Sequence, residues 1–203
     1  RRRGDEIVPV YWAAALVYLL IPLGAVVFAL PRVNPGAALL SSIGWGGQEL
    51  RILTEMQGMT RRGHRVALLT AGTADILPAA HARGLTAVGL PIEAKKLAGL
   101  VAVRRWLARE GAAFDVINTH SSTDAWLVAL ARATLPRMPP VVRTRHVSTP
   151  VNNAPATRWL YRRATAHLVV TGEALKRQLV RDNGIDPARI TSVRTGIDLP
   201  RFR

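Results

Sequence analysis

The sequence predicts an α/β fold: a Rossmann-like parallel sheet with helices on both faces, preceded by an apolar helical segment. Three observations carry the prediction. From Ala37 onward, short apolar runs alternate with longer amphipathic ones, the pattern of strands buried beneath helices. Glycines such as Gly63 and Gly184 stand where helices should stop. Ahead of this alternation, no charge interrupts the run from Ile7 to Pro31.

The elements follow in order. AALLSSI (37–43) reads as the first strand, and a glycine loop leads from it into a helix from Gly47 to about Arg62. There Leu50, Ile52, Leu53, Met56 and Met59 recur at three- and four-residue spacing, so one face is predicted inward. RVALLT (65–70) is the second strand, a helix lies near Ala74–Arg83, and LTAVGL (85–90) is a short third strand. The helix Lys95–Glu110 is expected to turn Leu97, Leu100, Val101 and Leu107 inward, with Arg104, Arg105 and Arg109 reaching outward. FDVINTH (114–120) is a buried strand, and Ser121 or Ser122 caps the helix after it. PPVVRTRH (139–146) is a strand, Thr157–Arg163 is helical, AHLVVT (166–171) is a strand, Glu173–Asn183 is a helix closed by Gly184, and ITSV (190–193) ends the series.

Right-handed crossovers place the carboxyl ends of all these strands on one edge, where ligands of such sheets bind. The glycine loop, Thr119–Ser122, Arg145–Ser148 and Thr171–Glu173 each follow a strand and are predicted to converge there.

Composition narrows the function. A chain of 203 residues holds one domain with a sizeable core plus an appendage. With no cysteine there is no disulfide framework and no thiolate metal site, and the five histidines show no metal spacing, so no metal is expected. The net charge of +15 comes almost wholly from arginine, since only Lys95, Lys96 and Lys176 are lysines. It favours anionic partners (phosphorylated ligands or anionic lipid) or else reflects arginine-rich solvated faces. Nucleic acid is not expected, because the arginines are dispersed and no aromatic-interleaved basic stripe accompanies them.

The run 7–31 is long enough for a membrane span, which needs about 20 apolar residues. Tyr11 and Trp12 suit an interface, and Pro22 with Gly24 would kink the helix. A buried element is the other reading, and a signal peptide fits less well because no small-residue cleavage site stands out. Arg1–Arg3 on the inner side would place the rest outside unless the segment is re-entrant or another span precedes it. The start at Arg1 and the stop at Arg203 in mid-pattern lead to the expectation that the chain is part of a longer one.

The stretch SSIGWGGQEL (41–50) is a strand–glycine–helix junction, whose amide N–H groups can face an anion. It is neither G-x-G-x-x-G nor a lysine-bearing P-loop, which argues against an NTPase. Its glycines serve either a phosphate or close strand–helix packing.

The segments around it decide the family. GWGGQELRILTEMQGMTRRGHRVALLT resembles the opening of retaining glycosyltransferases of family 4, which have the GT-B fold: a G-G-x-E loop, a long helix, R-G-H-x-V and the second strand, in this order. DVINTHSS resembles the family's D-V-V-H-x-H strand end, and LVVTGEALKRQLVRDNGIDPARITSVRTGIDLPRF resembles its passage ending N-G-V-D-…-F. The resemblance covers about 37–203. It implies two Rossmann-like domains across a cleft, of which this chain would be the amino-terminal, acceptor-side one. Residues 1–36 would be the apolar segment, 37–196 the acceptor-side domain and 197–203 the start of the interdomain linker. The paired glutamates E-x(7)-E of the donor half do not occur here. Thr195 replaces the usual Asn before Gly196, and Thr171–Gly172 replaces the usual Ser before Glu173.

Site residues follow from this. His120, between a buried strand and a helix start, either meets a sugar hydroxyl or orients the transferring group as the catalytic candidate, or it caps local backbone. Gly46, Gly47 and Gln48 are the candidates for the donor's diphosphate. Trp45, Arg145, His146 and Glu173 are the acceptor candidates; Arg145 and His146 meet either an acceptor phosphate or the diphosphate, and Glu173 alternatively complements its helix dipole. No cofactor is expected, only a nucleotide-diphosphate sugar as donor substrate. The expected partners are that nucleotide-sugar, a glycan or lipid-linked acceptor of the cell envelope, and an anionic membrane. The expected location is the cytoplasmic face of the membrane, anchored through 7–31. The alternative is a non-catalytic, membrane-anchored module that binds glycan or lipid head groups; a second Rossmann pattern with two glutamates eight positions apart would exclude it.

Overall fold

A computed structural model describes residues 46–194 and the strand 37–39. The apolar segment 1–36, Gly44, Trp45, Thr195, Gly196 and the linker 197–203 lie outside the described residues. Among the described residues, no helix is long and apolar enough to cross a membrane.

Among the described residues, seven parallel strands form one sheet: β1 (Ala37–Leu39), β2 (Ala67–Ala71), β3 (Thr86–Leu90), β4 (Ile117–Thr119), β5 (Val141–Arg145), β6 (His167–Val170) and β7 (Ile190–Ser192). Their order is β3-β2-β1-β4-β5-β6-β7. The chain therefore builds outward from β1 in one direction, then returns to β1's other side with β4 and builds the opposite way. With right-handed crossovers, that reversal sends the connections after β1 and β4 to opposite faces and opens a crevice between their carboxyl ends. Leu39 pairs with Thr119 at the end of these two strands, so the residue after Thr119 stands at the reversal point.

The helices are α1 (Gly47–Arg61), α2 (Ile76–His81), α3 (Leu97–Glu110), α4 (Ser122–Ala133), α5 (Pro155–Trp159) and α6 (Glu173–Asn183). A π-helical turn, Leu160–Ala164, continues α5. Gly63 and Gly184 both adopt positive φ, 85° and 55°, the left-handed geometry by which glycine closes a helix. The main core is built from Ile52, Leu53 and Met56 of α1, Leu68 and Leu69 of β2, Val103 and Leu107 of α3 and Ile117 of β4. A second cluster joins Ala125 and Ala129 of α4 to Leu160, Tyr161, Leu168, Val170, Leu175 and Leu179.

Two inward assignments are corrected. Leu97 is 74% exposed and Leu50 is 44% exposed. The buried stripe of α3 runs through Gly99, Val103, Trp106 and Leu107, and Leu97 lies two residues before it, on the opposite side of a 3.6-residue turn. In α1 the stripe is Glu49, Ile52, Leu53 and Met56, so Leu50 sits at its margin while a carboxylate takes the inner place. Gly99 has a packing role: a Cβ there would lie 2.7 Å from the Pro91 carbonyl oxygen.

Candidate functional site

The carboxyl end of β4 is held by a reciprocal cap. Ser121 begins α4, and its Oγ accepts hydrogen bonds from the backbone N–H groups of Thr123 (3.1 Å) and Asp124 (3.3 Å). In return, the Asp124 carboxylate accepts the backbone N–H of His120 and of Ser121, both at 2.9 Å, and the Ser121 hydroxyl at 3.1 Å. Such a box satisfies amide groups that the helix itself leaves unpaired. Here it also fixes the backbone that carries His120 at the reversal point of the sheet. Asp124 is fully buried, which pushes its pKa up to about 6, while the His120 and Ser121 amides, the nearby Arg143 charge and the Ser121 hydroxyl hold it down. The carboxylate is thus ionised at neutral pH.

The next strand supplies the second histidine. Arg143 and Arg145 share one face of β5, since side chains alternate along a strand. The π-turn sets Tyr161 against both: the Arg143 guanidinium lies 4.5 Å from its ring centroid, and Arg145 Nη1 donates to its hydroxyl at 2.8 Å. Arg145 Nη2 then donates to the carbonyls of Val147 (3.2 Å) and Thr149 (2.7 Å). The guanidinium is committed to the wall of the site, where it shapes the loop that carries His146.

Between these two anchored junctions the histidines meet. His120 Nδ1 lies 3.0 Å from His146 Nε2. The ring centroids are 5.3 Å apart and the planes differ by 22°. That separation is what the 3.0 Å contact and the two ring radii add up to, so the rings meet edge to edge, close to one plane, through a hydrogen bond. His120 is 6% exposed. Burial first, then the neighbouring His146 and the Arg51 charge, hold its pKa well below the ordinary histidine value. Burial followed by Arg51 brings His146 down to about 4. Both rings are neutral at pH 7.

Arg51 reaches this pair from α1, where it is buried and ion-paired to Glu55 at 2.6 Å. It is a site residue that sequence reasoning missed; the Arg–Glu pair at i, i+4 was legible, but it reads equally well as a surface pair. Asp124 was also missed as a site residue, although Ser-x-x-Asp is a readable cap.

At the start of α1, Gly46 is extended (φ −165°) and no side chain caps the helix. A Cβ at Gly47 would meet nothing within 4 Å, and at Gly46 only Glu49 Oε2, at an ordinary 3.5 Å. Neither glycine is required by packing among the described residues. Gln48 Nε2 donates to Glu49 Oε1 at 3.5 Å, a long contact. The Glu49 carboxylate, in the first turn, already complements the helix dipole.

The structure thus brings His120 and His146 into direct contact and ties Arg145 to the loop that follows His146. Glu173 lies exposed in the first turn of α6, after β6, without a hydrogen bond to any of the three among the described residues. Trp45 lies outside the described residues.

The family model described as Glycosyltransferase Family 4 matches residues 45–201. No match was found among curated proteins. Solved structures similar to the chain include Anabaena HepE in complex with UDP-glucose, at 13% identity and a TM-score of 0.65, which covers 82% of this chain and 45% of that one. A glycosyltransferase from Rickettsia africae aligns at 14% identity and a TM-score of 0.69, over 85% of this chain and 45% of that one. The lipopolysaccharide outer core galactosyltransferase WaaB, in its apo form, aligns at 10% identity and a TM-score of 0.61, over 82% of this chain and 46% of that one. At such identities the likeness establishes the fold, that of GT-B glycosyltransferases, and the chain spans a little under half the length of these relatives.

Proposed function

The chain belongs to glycosyltransferase family 4, and from that premise we propose that it forms the acceptor-side half of a retaining enzyme. The reaction moves a sugar, of hexosyl type, from a nucleotide-diphosphate donor to a glycan or lipid-linked acceptor of the cell envelope. The observation that carries the reading is the neutral His120–His146 pair, built at the reversal point of the sheet near the start of α1, where no described residue crowds Gly47.

In the transfer, the bond from the sugar's anomeric carbon to the diphosphate oxygen breaks and a bond to the acceptor hydroxyl oxygen forms. Positive charge develops on the sugar and negative charge on the diphosphate, which takes up the acceptor's proton. A neutral His120 can hydrogen-bond the sugar without placing a cation beside that developing positive charge, which is the electrostatic requirement of such a transition state. The N–H groups at Gly47 and Gln48, with the partial positive end of α1, suit the departing diphosphate; the dipole contributes about 0.3–1 kcal/mol, and charge-assisted hydrogen bonds add to it. Arg145 serves by shaping the His146 loop, and Trp45 and Glu173 are left for the acceptor. A second domain supplies the donor grip, and the run 7–31 holds the protein at the cytoplasmic face of an anionic membrane.

The test is turnover of a panel of nucleotide-sugars by the complete protein and by the 203-residue chain alone. We expect transfer by the complete protein, none by the isolated chain, and a loss of roughly 10²-fold or more in kcat for His120→Ala. Robust transfer by the isolated chain, or no turnover of any nucleotide-sugar by the complete protein, overturns the reading.

A further inference from the structure

We infer that His146 is a positioning residue that couples the tautomer of His120 to its own, so that the two rings behave as one hydrogen-bonding unit with opposite characters at its two outer nitrogens. The inference rests on the proposed sugar transfer for its functional meaning, but its physical content follows from the contact itself. A neutral imidazole carries one N–H and one lone pair. Across the 3.0 Å contact, one ring must donate and the other must accept.

Only two arrangements satisfy this. If His120 Nδ1 carries the proton, His146 Nε2 accepts, and the proton of His146 sits on its own Nδ1. If His146 Nε2 carries the proton, His120 Nδ1 accepts, and the proton of His120 sits on its Nε2. The two rings therefore always hold the same tautomer, both Nδ1–H or both Nε2–H. Mixed tautomers would set two N–H groups, or two lone pairs, against each other.

The surroundings keep the rule in force. Both rings are neutral because burial and the Arg51 charge from α1 disfavour a second proton. Arg51 is itself paired with Glu55. From α4, the Asp124 carboxylate is occupied by the His120 and Ser121 amides and does not reach the imidazole nitrogens. On the β5 side, Arg145 is turned to Tyr161 and the loop carbonyls. His120 Nε2 and His146 Nδ1 make no hydrogen bond among the described residues.

The outer nitrogens thus offer one donor and one acceptor in either state. That pairing matches hydroxyl groups, each of which can give and take a proton. It does not match an anion, which needs donors only. Of the two ligands in the proposed reaction, this subsite takes a sugar's hydroxyls, and the diphosphate belongs elsewhere.

Long-range proton–nitrogen NMR of the imidazoles tests the coupling at pH 7 in the full chain, with His120 and His146 assigned from single His→Gln variants. The expected spectrum shows both rings neutral and in the same tautomer. In His146→Phe, which keeps a ring and removes its nitrogens, the tautomer balance of His120 should shift, because nothing is left to pair its Nδ1. In His146→Gln, whose amide can still give or take one hydrogen bond, His120 Nδ1 should keep a hydrogen-bonded partner in either tautomer. In the complete enzyme kcat should fall about tenfold or more for His146→Phe, with donor KM within about twofold, and should recover to within about threefold of wild type for His146→Gln. Opposite tautomers in the wild type, an unchanged His120 in His146→Phe, or equal kcat for the Phe and Gln variants would overturn the inference. The wild-type spectrum decides the coupling even where a variant fails to fold. Matched tautomers in a protein that transfers no sugar would leave the coupling standing and remove the functional reading instead.

Discussion

Replacing Gly47 with alanine should separate function from stability in opposite directions. The position opens α1, its φ is not in the left-handed range, and an added Cβ meets nothing within 4 Å. Nothing among the described residues requires glycine there, and alanine lowers the chain entropy of the unfolded state. The variant should therefore be more stable by about 0.5–1 kcal/mol, a rise of roughly 1–4 °C in Tm for a domain of this size. The open space is also where the proposed diphosphate would lie against the backbone. A methyl group displacing it from one charge-assisted hydrogen bond costs about 1.5–3 kcal/mol, or about ten- to a hundredfold in kcat/KM for the donor. Gly47→Val, bulkier, should lose more. The assay is nucleotide-sugar turnover by the complete enzyme beside a thermal melt of the same preparation. Alanine and valine variants that melt as expected and turn over normally would show that the loop is not a phosphate cradle.

Three further outcomes are expected. The unfolded chain protonates His146 near 6.5 while the folded one waits until about 4, so this ring's contribution is complete above pH 6.5 and is lost as the pH falls toward 4. For this part-exposed ring it is worth ~2 kcal/mol after allowance for solvent screening, and His120 acts in the same direction. Asp124 opposes them: raised from 3.8 to about 6, it favours the fold below 3.8 and loses that contribution as the pH rises through 6. Two histidines against one carboxylate predict weaker urea resistance at pH 5 than at pH 7, with a shallower loss in His146→Gln; an identical pH slope in that variant would refute the assignment. Gly99→Ala should destabilise the fold by about 1–3 kcal/mol through overpacking, because the new methyl would sit 2.7 Å from the Pro91 oxygen; an unchanged denaturation midpoint would show that the contact relaxes freely. If the run 7–31 anchors the protein, the intact chain should resist alkaline carbonate extraction and a chain beginning at Pro35 should dissolve without detergent; full solubility of the intact chain would refute the span.

Much of the fold was legible because burial on both faces writes itself as apolar runs. β2 lies within two residues of the expected 65–70, and α6 ends before Gly184 as the pattern put it. Strand ends were overextended: FDVINTH shrinks to Ile117–Thr119, since Phe114 follows a 3₁₀ turn and joins the core from outside the sheet. Leu97 misled because hydrophobicity alone does not fix which way the first turn of a helix faces. The π-turn after Trp159 left no sequence signal, although it places Tyr161 between the two arginines. At the site, order along the chain put His120 and His146 on one edge, but their contact depends on adjacent registers of β4 and β5, where Thr119 pairs with Arg143. Arg145 read as a ligand-facing cation from its place on that edge, and its hydrogen bonds to the Val147 and Thr149 carbonyls were not legible, because a sequence does not reveal carbonyls waiting in the following loop.

The central claim, that this chain builds the acceptor side of a retaining glycosyltransferase, is tested most directly by the anomeric configuration of the product. The complete protein should be given the nucleotide-sugar and the acceptor it turns over, and the configuration of the new glycosidic linkage read by proton NMR. The account predicts the same anomeric configuration in the product as in the donor, with the signal reduced roughly 10²-fold or more in His120→Ala. An inverted product, or an unreduced signal in the folded His120→Ala enzyme, would contradict it.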